Sequence, residues 1–123
     1  MSGARMRRVD EAVREVLADA IPRCVKDPRV GFVTVTDVNT SPDLRQAQVF
    51  VSVLGDEDAR NACIEGLTSA HGVLQREVGR SLRMKRTPTL SFHVDETALR
   101  AQHLQALIDA NPPTGSGDPE EGA

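Results

Sequence analysis

Gln46-Ala47-Gln48-Val49-Phe50-Val51-Ser52-Val53-Leu54 is the stretch that decides the fold, because its apolar residues fall on every second position. Successive side chains of a strand point to opposite faces. Ala47, Val49, Val51 and Val53 therefore make one face, and Gln48, Phe50 and Ser52 the other. A strand with a single aliphatic face belongs in a sheet that is covered on one side. Upstream, Val30 to Val38 follows a Lys-Asp-Pro turn, is rich in Val and Thr, and reads as a partner strand. Asn39-Thr40-Ser41-Pro42-Asp43 supplies the turn between them, which predicts an antiparallel hairpin. Further upstream, Met6, Val9, Val13, Val16, Leu17, Ala20 and Ile21 recur at helical spacing, so a helix runs from Arg5 to Ile21, where Pro22 should end it. On its polar side Arg7 and Glu11, and Asp10 and Arg14, stand four apart, the spacing at which opposite charges pair.

Downstream, Gly55-Asp56 breaks the strand, and Asp56-Glu57-Asp58 supplies acids suited to a helix N-terminus. Ala59, Ala62, Cys63, Gly66, Leu67 and Ala70 then mark a helix face of small residues, one able to lie close to the sheet. A second helical pattern starts at Val73 and runs to about Leu82, with only Ala70-His71-Gly72 between. Two helices in direct succession imply a kink, and glycine is the residue that adopts unusual backbone angles at least cost. Pro88 excludes helix, and Thr89 to Val94 alternates Leu90, Phe92 and Val94 against Ser91 and His93 as a third strand. A last helix from Thr97 to about Ala110 sets Ala101, Leu104, Leu107 and Ile108 on one side. The order is α-β-β-α-α-β-α, an α+β domain with a three-stranded sheet.

The helix after Gly72 carries the functional signal. At about 100° per residue, Leu74, Val78 and Leu82 share one side while Arg76, Arg80 and Arg83 share the opposite one. Met84-Lys85-Arg86 extends the positive charge into the next loop. Glu77 is the one acid between Arg76 and Arg86. A row of arginines opposite a packing face suits phosphate binding, since the planar guanidinium fork donates two hydrogen bonds to one phosphate. The same row could also serve as a solvated face, or meet an acidic protein partner. His71 and Gly72 open that helix, where backbone amides can hold an anion.

Net charge is −3, which alone would argue against a nucleic-acid partner. The residues from Asp109 onward carry four acids and no bases, however, so residues 1–108 have a net charge of +1. Pro, Gly and acid content marks 109–123 as a disordered tail. Enzyme chemistry finds little support. His71, His93 and His103 show no metal-ligand spacing, and Ser91, His93 and Asp95 alternate along one strand, where they cannot converge on one atom. Cys24 and Cys63 read as reduced thiols. No apolar run approaches the roughly 18 residues needed to cross a bilayer, and the N-terminus lacks a secretory core, so the expected compartment is the cytoplasm. With no Trp or Tyr and three Phe, bases cannot be read by stacking. Binding should rest on the RNA backbone and be steeply salt-dependent.

Four blocks resemble the ribosome-binding factor A family: RMRRVDEAVREVLADAI (5–21), VTVTDVNTSPDLRQAQVFVSVLG (33–55), LTSAHGVLQREVGRSL (67–82) and LRMKRTPTLSFHVDET (82–97). The resemblance spans about residues 5–108. It implies a type II KH-like fold in which an Ala-x-Gly kink, here Ala70-His71-Gly72, replaces the Gly-x-x-Gly loop of other KH domains. It implies a monomer that binds the free 30S small ribosomal subunit and 16S rRNA, aids maturation of that RNA and matters for growth in the cold. No enzymatic activity, cofactor, small-molecule substrate or membrane partner is implied. Carried over residue by residue, the RNA-facing surface is Arg76, Arg80, Arg83, Lys85 and Arg86, with His71, Gly72 and Arg45 as further candidates.

Overall fold

A computed structural model describes residues 3–110, apart from the side chains of Ala98 and Gln102. The acidic tail expected over 109–123 begins inside the last helix, and its part beyond Ala110 lies outside the described residues. Seven elements follow in order: α1 (Gly3–Cys24), β1 (Val33–Thr40), β2 (Gln46–Val53), α2 (Glu57–Ser69), α3 (His71–Leu82), β3 (Thr89–Val94) and α4 (Glu96–Ala110). The sheet order is β1-β2-β3, with β1 antiparallel and β3 parallel to β2. A parallel neighbour needs a crossover connection, and α2 with α3 provides it. Ala47, Val49, Val51 and Val53 form the buried face predicted for β2. They pack with Leu90 and Phe92 of β3, with Val13, Leu17 and Ile21 of α1, and with Leu74 and Val78 of α3.

β1 is shifted from its expected span of Val30–Val38. Val30 belongs to a turn in which its amide donates to the Asp27 carbonyl (3.0 Å) and the Arg29 amide to Asp27 Oδ1 (2.9 Å). Pairing instead continues through Asn39 and Thr40, because a bulge between Val35 and Asp37 changes the alternation and turns Val38 and Thr40 inward. Ser41 closes the hairpin, its Oγ accepting from the Gln46 amide (3.0 Å). Leu44 takes a left-handed conformation in the turn, with φ 61°.

Pro22 does not stop α1. Pro22 lacks the amide that would bond the Ala18 carbonyl, yet the helix continues two residues further to Cys24, followed by a Val25 amide bond to the Ile21 carbonyl (3.0 Å). The expected pairing of Asp10 with Arg14 is not formed. Arg14 bonds Glu11 instead, and Asp10 Oδ1 accepts from the Thr40 amide at 2.8 Å, tying α1 to the end of β1.

The acids at the start of α2 act as predicted, Asp56 capping the helix by accepting from the Ala59 amide at 2.9 Å. Its small-residue face packs in the core with the sheet through Cys63 and Leu67, and at Gly66 it also meets the turn before β1. A Cβ on Gly66 would lie 2.6 Å from Val30 Cγ2. At the α2–α3 junction Ala70, with φ −92° and ψ 7°, takes the bend. Gly72 has no positive φ, so the unusual angles expected of it are not needed. On α4 the side that spacing would bury stays open, with Leu104 59%, Leu107 49% and Ile108 50% exposed.

Candidate nucleic-acid interface

α3 lies across the domain with Leu74 and Val78 fully buried and Arg76 and Arg80 exposed, as its periodicity predicts. The helix ends at Leu82, and Arg83 caps it in the left-handed region at φ 53°. The direction of Arg83 is therefore set by that cap and not by the helical wheel. The Met84 amide returns to the Gly79 carbonyl (3.0 Å), and Gly79 sits so close to Thr87 that a Cβ would fall 2.4 Å from Thr87 Oγ1. This contact holds the 83–88 segment against the end of α3. Arg83, Lys85 and Arg86 are exposed on it. Among the described residues, neither they nor Arg76 form an ion pair.

Glu77 changes the account of Arg80. It is not part of the exposed face: it turns inward beside Leu74 and Val78, and is 9% exposed. Buried carboxylates need partners, and Glu77 has two. Arg23 of α1 donates from Nη2 at 3.0 Å, and Arg80 donates from Nη2 to the other oxygen. Arg23 also holds Asp19 at 3.0 Å, and its guanidinium is raised above the ordinary arginine range by Glu77 first and Asp19 second. The Arg23–Glu77–Arg80 link joins α1 to α3, so packing does claim one of the three arginines. Sequence periodicity missed Arg23 altogether. The available signal was Glu77, which lies on the arc of α3 that also carries Leu74 and Val78.

At the start of α3, His71 Nδ1 lies 2.7 Å from the Thr68 carbonyl, so the ring donates back to α2. The Ala70 amide bonds the Gly66 and Leu67 carbonyls, both at 3.1 Å. The carbonyl end of α2 thus stands one residue from the amide end of α3, and their opposite partial charges offset one another. An anion gains less there than at an isolated helix start. Gly72 is exposed, and a Cβ added to it would meet nothing within 4 Å. Arg45 is placed by backbone pairing at the start of β3, beside the 83–88 segment: its carbonyl accepts from the Thr89 amide at 2.9 Å. Its side chain is 66% exposed and 3.9 Å from Asp43. Asp43 is held below the usual carboxylate range by the Ser41 hydroxyl and then by the Arg45 amide.

Ser91, His93 and Asp95 do not converge on one atom. Ser91 Oγ and His93 Nε2 lie 3.1 Å apart on the exposed face of β3, while Asp95 accepts from Thr36 Oγ1 at 2.5 Å. Among the described residues no group of His, Cys, Asp and Glu could hold a metal ion, and no helix is long and apolar enough to cross a membrane.

The model of the family described as ribosome-binding factor A matches residues 5–108. A protein from Frankia alni named ribosome-binding factor A is 52% identical over 105 residues, covering 85% of this chain and 52% of the relative. The chain thus spans about half the length of that relative. The crystal structure of ribosome-binding factor A from Thermus thermophilus superposes with a TM-score of 0.64 at 28% identity, covering 72% of this chain and 94% of the other. A homology model of the Thermus thermophilus factor, fitted into a cryo-electron-microscopy map of a complex between the 30S subunit and ribosome-binding factor A, gives 0.60 at 27% identity, covering 72% and 92%.

Proposed function

The chain belongs to the ribosome-binding factor A family, and from that premise we propose that it is an RNA-binding assembly factor that docks on the free small ribosomal subunit in the cytoplasm. Its fold is KH-like, without a Gly-x-x-Gly loop and with Ala70-His71-Gly72 at the corresponding helix junction. The reading gives the protein a role in maturation of 16S rRNA, with its greatest importance in the cold, where misfolded RNA helices escape most slowly. It works as a monomer by binding, without catalysis or cofactor.

One observation carries this reading. α3 buries Leu74 and Val78 completely while Arg76, Arg83, Lys85 and Arg86 stand exposed and outside any ion pair among the described residues. Exposed cations without carboxylate partners retain their full attraction for a polyanion. The family supplies the polyanion, since a relative is fitted in a complex with the 30S subunit. The test is co-sedimentation with purified small subunits over a salt series. Binding should fall steeply with salt, and Arg76→Glu or the pair Lys85→Glu and Arg86→Glu should weaken it. Failure to co-sediment at low salt would overturn the reading. Capture of an acidic protein that survives complete RNase digestion would replace it with a protein-docking role.

A further inference from the structure

The arginines of this domain are unevenly paired: Arg23 and Arg29 at one end are held by carboxylates, whereas Arg83 and its neighbours Lys85 and Arg86 at the other end form no ion pair among the described residues. Where β1 starts, Arg23 is held by Asp19 and Glu77, and Arg29 by Asp27 at 2.6 Å and Glu65 at 3.5 Å. The opposite end of the sheet is marked by a row of paired residues, Thr40, Ala47 and Leu90, one from each strand. Adjacent strands are about 4.8 Å apart, so the row is only about 10 Å across. Three segments distant in sequence meet there. Asp10 pins the first turns of α1 through its bond to the Thr40 amide. The 41–45 turn leads into β2, and the 83–88 segment enters β3 where Thr89 bonds the Arg45 carbonyl.

Arg7 and Arg8 stand on α1 within one turn of Asp10, about 5 Å along the axis. Both are exposed, and among the described residues neither forms an ion pair. The carboxylates at this end are already committed: Asp10 to the Thr40 amide, Glu11 to Arg14, and Asp43 to the Ser41 hydroxyl at 2.7 Å and the Arg45 amide at 3.0 Å. No phenylalanine lies at this end, since Phe32 precedes β1 at the far end and Phe50 and Phe92 lie within the strands. The chemistry offered is phosphate binding without base stacking.

We propose that Arg7 and Arg8 of α1 belong to the RNA-binding surface, and that with Arg45, Arg83, Lys85 and Arg86 they make the end of the domain, rather than the α3 face alone, the phosphate-binding site. The ligand is the backbone of a folded RNA, met by cations from three segments whose relative positions are fixed by the sheet. Arg80 is a strut whose charge is largely spent on Glu77. The inference rests on the RNA-binding reading above and extends it to residues outside the arginine helix.

The test compares single and double alanine variants at Arg7 and Arg8 with Lys26→Ala, which removes one exposed charge near the other end. Binding to purified small subunits is measured across a salt series. Each phosphate contact contributes about 0.7–0.9 to the slope of log affinity against log salt. Arg7→Ala with Arg8→Ala should lower that slope by about 1.5 and weaken binding, while Arg7→Lys with Arg8→Lys should largely restore it and Lys26→Ala should leave it unchanged. Thermal unfolding of each variant checks that the fold is kept, as the exposure of both side chains predicts. If the double variant matches Lys26→Ala while Lys85→Ala with Arg86→Ala weakens binding, the inference falls and the RNA-binding reading stands. If the wild-type protein does not bind, the reading itself falls.

Discussion

Replacing Glu77 with Gln separates the structural and the binding roles of the arginines, because this one carboxylate links two of them. Glu77 keeps only 12% of its side chain exposed, and accepts from Arg23 at 3.0 Å and from Arg80. A hydrogen bond to a buried charge is worth about 1.5–3 kcal/mol. The two guanidiniums are 51% and 73% exposed, however, so solvent screening brings the pairs toward the range of about 0–1 kcal/mol found for surface ion pairs. Gln preserves the shape and one acceptor. The expected loss on Glu77→Gln is therefore about 1 kcal/mol, which for a domain near 100 residues lowers Tm by roughly 4–8 °C. Binding should move the other way. The substitution deletes a negative charge beneath the arginine surface and releases Arg80, so the salt slope for small-subunit binding should steepen by up to about 0.9, one phosphate contact. Differential scanning calorimetry and the salt series together check this. A variant that is less stable and also binds more weakly would refute the strut assignment, since Glu77 would then be orienting Arg80 toward phosphate.

Three further outcomes follow from particular contacts. Gly66→Ala gains about 1 kcal/mol of helix propensity but sets a methyl 2.6 Å from Val30 Cγ2, an overpacking cost of about 1–3 kcal/mol. Urea unfolding should show a net loss that disappears in a Val30→Ala background, and simple additivity of the two substitutions would disprove the contact. Asp27 is held below its ordinary value of 3.8, first by the Arg29 guanidinium and then by the Arg29 amide. Because the folded value is the lower one, its stabilising contribution is complete above pH 3.8 and is lost as pH falls through the folded value; an NMR titration midpoint at or above 3.8 would contradict this. Burial raises the Cys63 thiol above its ordinary value, so a thiol reagent should modify half-buried Cys24 first and Cys63 only as the protein opens.

What was legible in the sequence was whatever one element states by itself. β2 and β3 show their buried faces in a period of two, and α3 shows Leu74 and Val78 in a period near four; all three stand where periodicity put them. The errors arose where a second element decides. β1 holds its apolar residues at Val33, Val35 and Val38, and only the bulge opposite β2 reconciles that change of parity with one buried face. Gly66 is read as helix–sheet spacing until the 27–30 turn is seen to fill the space above it. Glu77 interrupts a run of positive charge on paper, and its partner Arg23 is 54 residues away. The α1 arginines carry no pattern pointing to β2 and β3, since their place depends on Asp10 finding the Thr40 amide.

The placement of acids also explains how a chain of net charge −3 can present a cationic surface. Charges farther from a phosphate than a Debye length, about 8–10 Å at ordinary ionic strength, are largely screened, so the net charge of the whole chain counts for little. Within that distance a phosphate responds to the charges that lack a nearby partner. Asp19, Asp27, Glu65 and Glu77 each bond an arginine near the start of β1 or along α1 and α3, so those pairs present little net field to a ligand. Asp10 is spent on a backbone amide at the other end, and Asp43 is shared between the Ser41 hydroxyl, the Arg45 amide and a long contact to the Arg45 guanidinium. Carboxylates that bond amides and hydroxyls stabilise turns and still contribute negative charge, so Arg45, with Asp43 at 3.9 Å, should attract a phosphate less than Arg83, Lys85 or Arg86. Arg83, Lys85 and Arg86 pair with no carboxylate among the described residues and should dominate the local field. A charge reversal among these three should therefore cost more binding than the same reversal at Arg45, although all four carry one unit of charge and all four are exposed.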